Sequence, residues 1–239
     1  MRRFYAPPEN FTGRCVSLDL DETRHLRDVL RLHDGDNISV FDGAGREFLC
    51  TVETVEKKHT ILTILDETSP TSPESHLDLT LAVAILKGEK LELVVQKAVE
   101  LGVSTLQPLF TQRCDIKPNT KDKKIERWRK IAHEAAKQSG RAKLMKIENP
   151  IGLETLPAGS DGENVILFTE REGSHFSEIK PSKKITAIVG PEGGWEDSEL
   201  AWARERGFTL VTFGGRILRA ETAAISVAAI LQHRFGDFS

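Results

Sequence analysis

The sequence predicts an α/β protein whose parallel sheet is preceded by a small β domain. Three observations carry this reading. Short strand-like runs separated by glycine turns fill the chain up to residue 69, a Ser/Thr/Pro-rich stretch follows over residues 70–76, and from residue 77 to 239 apolar strands alternate with amphipathic helices. The domain boundary is therefore placed in the stretch 70–76, treated as a linker between domains 1–69 and 77–239.

In the first domain, Ile38-Ser39-Val40-Phe41 runs into Asp42-Gly43-Ala44-Gly45 and Phe48-Leu49-Cys50-Thr51-Val52 returns, a hairpin by its turn chemistry. Thr60 to Leu65 is a further β-prone run. Between Asp21 and Leu32 the apolar Leu26, Val29 and Leu30 fall at helical spacing behind an acidic start, so a small barrel with one helix is expected. In the second domain, Leu77 to Leu86 is almost continuously apolar, as in a strand covered on both faces. Strands are expected again at Thr105–Phe110, Val165–Thr169, Ile185–Val189 and Thr209–Phe213. Helices are expected after Leu91 up to Leu101-Gly102, and around Lys123–Ser139, Asp197–Arg206 and Ala220–His233. In the last of these, Ile225 and Ala229 lie outside the main apolar stripe, so this helix needs two partners.

Composition narrows the function classes. No stretch of the 239 residues approaches the roughly 18 uninterrupted apolar residues of a membrane span, and no apolar segment follows the basic start. A cytosolic address is expected. The three cysteines, Cys15, Cys50 and Cys114, are far apart and odd in number, which argues against a disulfide framework or a zinc site. His133-Glu134-Ala135-Ala136-Lys137 has lysine where a zinc helix needs its second histidine, and no catalytic metal is expected. Net charge is only −3, yet Arg113 to Lys146 holds twelve Lys and Arg against four acids. A local surplus of that size suits a phosphate backbone, although basic helices are often simply solvated.

Parallel sheets bind ligands beyond the carboxyl ends of their strands, so the loops starting at Thr169, Gly190 and Gly214 draw attention. Gly190-Pro191-Glu192-Gly193-Gly194-Trp195 follows an apolar strand and precedes a helix with Asp197 as its expected N-cap. It is neither a G-x-G-x-x-G fingerprint nor a phosphate-binding loop with its lysine, so ordinary dinucleotide and nucleoside triphosphate sites are disfavoured. The stretch from Phe213 to Ala224 brings Arg216, Arg219, Glu221 and Thr222 to the junction of a strand end and a very apolar helix. Asp197 and Glu221 could equally serve only to favour helix N-termini.

Gly190-Pro191-Glu192-Gly193-Gly194 followed by Arg216-Ile217-Leu218-Arg219-Ala220-Glu221-Thr222-Ala223 resembles the signature of the ribosomal RNA small subunit methyltransferase E family, within the SPOUT superfamily. Lys87-Gly88-Glu89-Lys90, the run Gln96 to Val103, Glu134 to Arg141, and His25 to Arg31 extend the resemblance over nearly the whole chain. It implies a C-terminal SPOUT-type domain with a deep trefoil knot and parallel sheet, behind an N-terminal PUA-like β-barrel. It also implies a homodimer that methylates uridine N3 of small-subunit (16S) ribosomal RNA with S-adenosylmethionine. The cofactor is then expected across Thr169 and Glu170, across Gly190, Glu192, Gly193 and Gly194, and across Phe213, Gly214, Ile217, Leu218 and Thr222.

Uridine N3 carries a proton and is a poor nucleophile until it is lost, so a base or a stabilising cation is needed, and Arg219 and Glu221 are the candidates. RNA contacts are expected from Lys123, Lys124, Arg127 and Arg141 of the basic segment and from Arg2, Arg3, Arg27 and Arg31. A non-catalytic RNA-binding or ribosome-assembly protein is the rival reading, and an enzyme that uses Gly190 to Gly194 as a phosphate nest is a third.

Overall fold

The computed structural model describes residues 2–114, 122–212 and 214–238, and the chain divides into two compact units. One holds the residues up to Glu74 together with His133–Leu144, and the other holds Ser75–Ala132 and the chain from Met145 onward.

The first unit is built on six strands: β1 (Arg3–Tyr5), β2 (Phe11–Thr12), β3 (Cys15–Leu18), β4 (Asn37–Phe41), β5 (Glu47–Val55) and β6 (Thr60–Thr68). They are ordered β1-β4-β5-β6-β3-β2, antiparallel except for the parallel pair β1 and β4. One face carries Phe4, Val16, Leu18, Ile38, Val40, Phe48, Cys50 and Leu62 into a common core with Leu26. Burial pushes the Cys50 thiol up to about 12, which leaves it inert as a nucleophile. Cys15, by contrast, is exposed.

The expected helix between Asp21 and Leu32 is replaced by a short α1 (Leu20–Arg24), capped by the Asp19 carboxylate on the Glu22 N–H at 2.9 Å, and a π-helical turn over His25–Val29. The wider turn keeps Leu26 fully buried but rotates Val29 out to 68% exposure, so the apolar spacing misjudges this residue. The turn leads into Arg31, which has a φ of +52°.

β4 is buried on both faces because its second face, Ser39 and Phe41, is also covered. There, Arg3 donates from Nε and Nη2 to the two oxygens of Glu47 at 2.9 and 3.0 Å. Its remaining N–H groups reach the carbonyls of Ala136, Lys137 and Arg141 at 3.0, 3.3 and 3.2 Å, and the guanidinium lies 4.5 Å from the Phe41 ring centroid. Ser39 Oγ and the Thr71 N–H also donate to Glu47. Burial pushes the Glu47 carboxyl up, but Arg3 and these donors more than offset it and hold it below the ordinary carboxylate value. Arg141, 4% exposed, is clamped by Glu74 at 2.7 Å.

These contacts overturn two expectations. Arg3 and Arg141 are not available to grip RNA, because their donors are spent inside the protein on carboxylates and carbonyls. The stretch 70–76 is not a free tether either: Thr71 bonds Glu47, Ser72 bridges Arg141, and Glu74 holds Arg141 within the first unit, whereas Ser75 bonds Gln232 within the second at 2.7 Å.

The second unit is an all-parallel sheet. Its strands are β7 (Asp78–Ala84), β8 (Thr105–Phe110), β9 (Lys146–Ile147), β10 (Ile151–Gly152), β11 (Glu163–Thr169), β12 (Ser174–His175), β13 (Lys184–Val189) and β14 (Thr209–Thr212). The order is β10-β8-β7-β13-β11-β14-β12, with β9 on β8, so β13 lies between β7 and β11. The helices are α2 (Lys90–Glu100), α3 (Asp122–Ser139), whose last turns belong to the first unit, α4 (Asp197–Glu205) and α5 (Ala220–Phe235). The N-cap of α4 is Glu196 and not Asp197: Glu196 and Glu199 form a reciprocal capping box, while Asp197 projects to Arg171 with its side chain 91% exposed.

Two outcomes follow for stability. Glu47→Ala strands a buried guanidinium and is expected to cost about 3 kcal/mol in urea unfolding, in line with other broken buried pairs. Glu163, despite burial, is drawn down to about 2 by Thr186, Ser160 and Lys184. Its stabilisation is complete above its ordinary value of 4.5 and is lost as pH falls toward about 2. Glu163→Gln should flatten the acid limb of the stability curve in that window, and an unchanged limb would refute the assignment.

Candidate active site

Strands β13, β11 and β14 are adjacent and parallel, so the chain leaves Val189, Thr169 and Thr212 at the same edge of the sheet. The loops that follow enclose a cavity of about 620 Å³, within the size range of small-molecule sites.

The loop after β13 is shaped around Trp195. This indole is 1% exposed and its Nε1 donates to the Phe168 carbonyl at the end of β11, at 2.8 Å. A Cβ on Gly190 would stand 2.7 Å from the indole Cε2, so glycine is required for the tryptophan to lie against the backbone. Gly194 turns the chain at φ +71°, and a Cβ there would meet Glu170 Oε1 at 2.8 Å. From outside the loop, Arg113 bonds the Gly193 carbonyl at 2.8 Å and Glu196 at 2.7 Å.

Glu192 accepts from Lys90 Nζ at 3.1 Å and from the Lys87 N–H at 3.2 Å. Burial pushes its carboxyl up, yet these hydrogen bonds and the lysine charge bring it below the usual value, so it is ionised at neutral pH. Thr169 is buried and accepts from the Arg171 N–H at 3.3 Å, while Arg171 reaches Asp197 at 2.6 Å and the Trp195 carbonyl.

The loop before α5 is different in kind. Gly214, Gly215, Arg216 and Ile217 are exposed, Ile217 at 88%. Arg219 is the N-cap residue of α5 without a side-chain capping bond. Neither guanidinium, Arg216 nor Arg219, has a hydrogen-bond or ionic partner among the described residues. One loop thus lines the cavity with two cations that have no partner among the described residues. Glu221, in the first turn of α5, has its Oε2 buried without a partner among the described residues. Such an atom needs a proton, a water or a ligand group to satisfy it.

Of the residues expected at a cofactor site, Thr169, Glu170, Gly190, Glu192, Gly193, Gly194, Gly214, Ile217 and Leu218 line this one cavity, together with Arg219. Thr222 is exposed on the first turn of α5 and is not among the lining residues, nor is Glu221. Phe213 lies outside the described residues. Lys90, Phe168 and Trp195 also line the cavity. Lys90 opens α2, Phe168 lies on β11 and Trp195 is in the loop after β13, so only the three-dimensional fold brings the three to one cavity.

Among the other cations expected to meet RNA, Arg2, Arg31 and Lys123 are exposed and Lys124 half-exposed, with no ionic partner among the described residues. Arg27 is bonded to Asp28 at 2.7 Å and to the carbonyls of Glu56 and Lys57, and Arg127 to Glu92 at 2.7 Å. Lys117 and Lys121 lie outside the described residues. No group of three or more His, Cys, Asp or Glu among the described residues could hold a metal ion, and no helix among them is long and apolar enough to cross a membrane.

A family model described as an RNA methyltransferase domain matches residues 73–232, and one described as an RNA methyltransferase PUA domain matches residues 18–65. The chain is 33% identical to ribosomal RNA small subunit methyltransferase E of Aquifex aeolicus over 98% of this chain and 100% of that one. It is likewise 33% identical to the Synechocystis protein of the same name, over 92% of this chain and 74% of that one. Among solved structures, ribosomal RNA small subunit methyltransferase E from Neisseria gonorrhoeae bound to S-adenosyl methionine superposes with a TM-score of 0.90 at 35% identity, covering 100% of both chains. A methyltransferase from Legionella pneumophila in complex with the same cofactor gives 0.90 at 32% identity, covering 99% of this chain and 98% of that one.

The packing of Trp195 on Gly190 yields a direct test. Gly190→Ala is expected to lose about 1–3 kcal/mol by overpacking, with a changed near-ultraviolet tryptophan signal. Gly215→Ala, where an added Cβ meets nothing within 4 Å, should leave both unchanged.

Proposed function

Because this chain belongs to the ribosomal RNA small subunit methyltransferase E family, we propose that it methylates uridine N3 in small-subunit (16S) ribosomal RNA, using S-adenosylmethionine held in the 620 Å³ cavity. The observation that carries the reading is the meeting, at one sheet edge, of a glycine-walled pocket and two unpartnered arginines. The residues present fit the cofactor: the backbone of Gly190, Gly193, Gly194, Gly214 and Gly215 offers hydrogen-bonding groups that no side chain of these residues covers, and the carboxylates of Glu170 and Glu192 line the cavity, as suits a cationic sulfonium.

When bound, S-adenosylmethionine supplies an electrophilic methyl group. Transfer of that methyl to N3 would require the N3 proton to be taken up by a base of this chain and the resulting negative charge to be stabilised. Arg219 stabilises the negative charge that spreads over the uracil oxygens as this proton leaves. Glu221 is the proton acceptor or comes to orient the arginine when substrate is bound; its Oε2, unpartnered among the described residues, has the hydrogen-bonding capacity for either role. Phe213 and Thr222 are assigned to the cofactor as well, Thr222 from the first turn of α5. The first unit closes as a PUA-like barrel and the second is the knotted SPOUT type, a reading supported by β13 lying between β7 and β11. Arg2, Arg27, Arg31, Lys123, Lys124 and Arg127 contact RNA phosphates, the free cations among them most strongly, and the enzyme acts in the cytosol.

The working form is a homodimer. α5 buries Ala224, Val227, Ala228 and Leu231 yet leaves Ala223, Ile225, Ala229 and Ile230 half-exposed on further faces, and its small residues allow close approach of a second helix.

Calorimetry with S-adenosylmethionine tests the reading first, since a purely RNA-binding protein would show no heat. Arg219→Ala should retain cofactor affinity while losing kcat by about 10²-fold or more, as for other preorganised charge stabilisers. Glu221→Gln should lose less, with an altered pH profile if the carboxylate is the base. Loss of cofactor affinity alone in the arginine variant would overturn its role. Lys123→Glu with Lys124→Glu should lower the salt dependence of RNA binding, and Ala229→Glu should convert a dimer in light scattering to inactive monomer.

A further inference from the structure

The first unit holds a second cavity of about 620 Å³, which the methyl-transfer reading does not use. Its floor is the outer face of the sheet, where Arg3, Ser39 and Leu49 stand in register across β1, β4 and β5. One wall is the end of α3, through Glu134, Lys137 and Gln138, and His25 of the π-helical turn and Ser69 complete it.

The charges around this cavity are already spent. Arg3 is saturated by Glu47 and three carbonyls, and Lys137 Nζ is shared between Glu22 at 2.7 Å and Glu134 at 3.0 Å. Three carboxylates against two cations leave no surplus to attract a phosphate, in contrast to the free arginines of the other cavity. The groups left over are neutral: the side chains of His25, Ser69 and Gln138 make no hydrogen bond among the described residues. Burial, and then the Lys137 ammonium, hold His25 below the usual imidazole range. Its ring is therefore uncharged at neutral pH, with one nitrogen to donate and one to accept. Leu49 adds an apolar contact on the floor.

A planar aromatic ring, a carboxamide, a hydroxyl and an aliphatic patch in a concave setting whose cations are all internally paired match one chemistry. We propose that this cavity takes a single unpaired nucleobase of the substrate RNA, stacked on His25 and read on its polar edge by Gln138 and Ser69. The proposal rests on the reading of this chain as an RNA methyltransferase. Unpaired bases splayed from RNA are recognised by such stacking and edge contacts, whereas phosphates are met by free cations. The protein then has two separable RNA contacts: a salt-sensitive one through Lys123, Lys124 and their neighbours, and a salt-insensitive one here.

Filter binding of the full-length protein to purified small-subunit ribosomal RNA at several salt concentrations tests this. His25→Ala should weaken Kd about tenfold at every salt concentration, the usual cost of a lost base stack. Its salt slope, melting temperature and calorimetric affinity for S-adenosylmethionine should not change. Gln138→Ala should weaken binding less, and His25→Phe should keep most of the affinity because the stack survives. An unchanged Kd in His25→Ala, a loss that vanishes at high salt, or a loss in binding to assembled subunits but not to RNA would each overturn the proposal, the last by assigning the cavity to a ribosomal protein. A wild type that neither binds S-adenosylmethionine nor methylates would overturn the proposed function instead, while the Kd ratios would still report on this cavity.

Discussion

The parallel pairing of β13 with β11 and of β11 with β14 is the constraint on which the candidate active site depends. Because all three strands run the same way, three loops that are distant in sequence emerge side by side and bring Glu170, Gly190 and Arg216 to one cavity. Trp195 then fixes the spacing. Its indole belongs to the loop after β13 but bonds the last residues of β11, so the two loops are joined at a buried hydrogen bond in an apolar surround. The glycine at 190 follows from that joint and not from any need for a special φ: its backbone φ is ordinary, and what it supplies is room for the ring.

Much of this was legible in the sequence, for physical reasons that differ by region. The central strands β7, β11 and β13 are covered on both faces and so read as mostly apolar runs, and the helix α2 carries a clear 3.6-residue stripe. The loops were legible because glycine and charge concentrate where strands end. Where the reading failed, a local alternative competed with the pattern. Leu26, Val29 and Leu30 look helical, but one π-helical turn sends Val29 into solvent. Asp197 is a good N-cap by residue type, but Glu196 takes the position because Glu199 reaches back to its N–H at 2.9 Å. Lys90 stood in a stretch that resembles the family, but its pairing could not be read, since it depends on Glu192, 102 residues away.

Counting charges misjudged individual cations even where the regional surplus was correctly summed. Arg3, Arg141 and Lys137 sit in basic surroundings, yet each is buried against a carboxylate, with side chains at most 9% exposed. A sum over sequence cannot distinguish a guanidinium whose N–H groups are bonded to carbonyls from one that faces solvent. The distinction matters energetically: a buried arginine with five satisfied donors has nothing to gain from a phosphate, whereas Lys123, fully hydrated, exchanges water and counterions for one.

The two cavities show how the same volume can be given opposite chemistry. Methyl transfer to a nitrogen that must first lose a proton generates negative charge beside a sulfonium that is losing its positive charge. A site for it profits from cations that are uncommitted until substrate arrives, and Arg216 and Arg219 meet that condition, whereas Lys90 is already paired with Glu192. A recognition pocket has the contrary requirement. Any free charge there would bind phosphate indiscriminately along the whole RNA, so specificity favours neutral donors and acceptors with every cation internally paired, the condition met around His25 and Gln138. The buried Arg3–Glu47 and Lys137–Glu22 pairs are costly ways to hold a surface together. The cost becomes intelligible if their net effect is to leave no uncommitted cation on this face while fixing its shape.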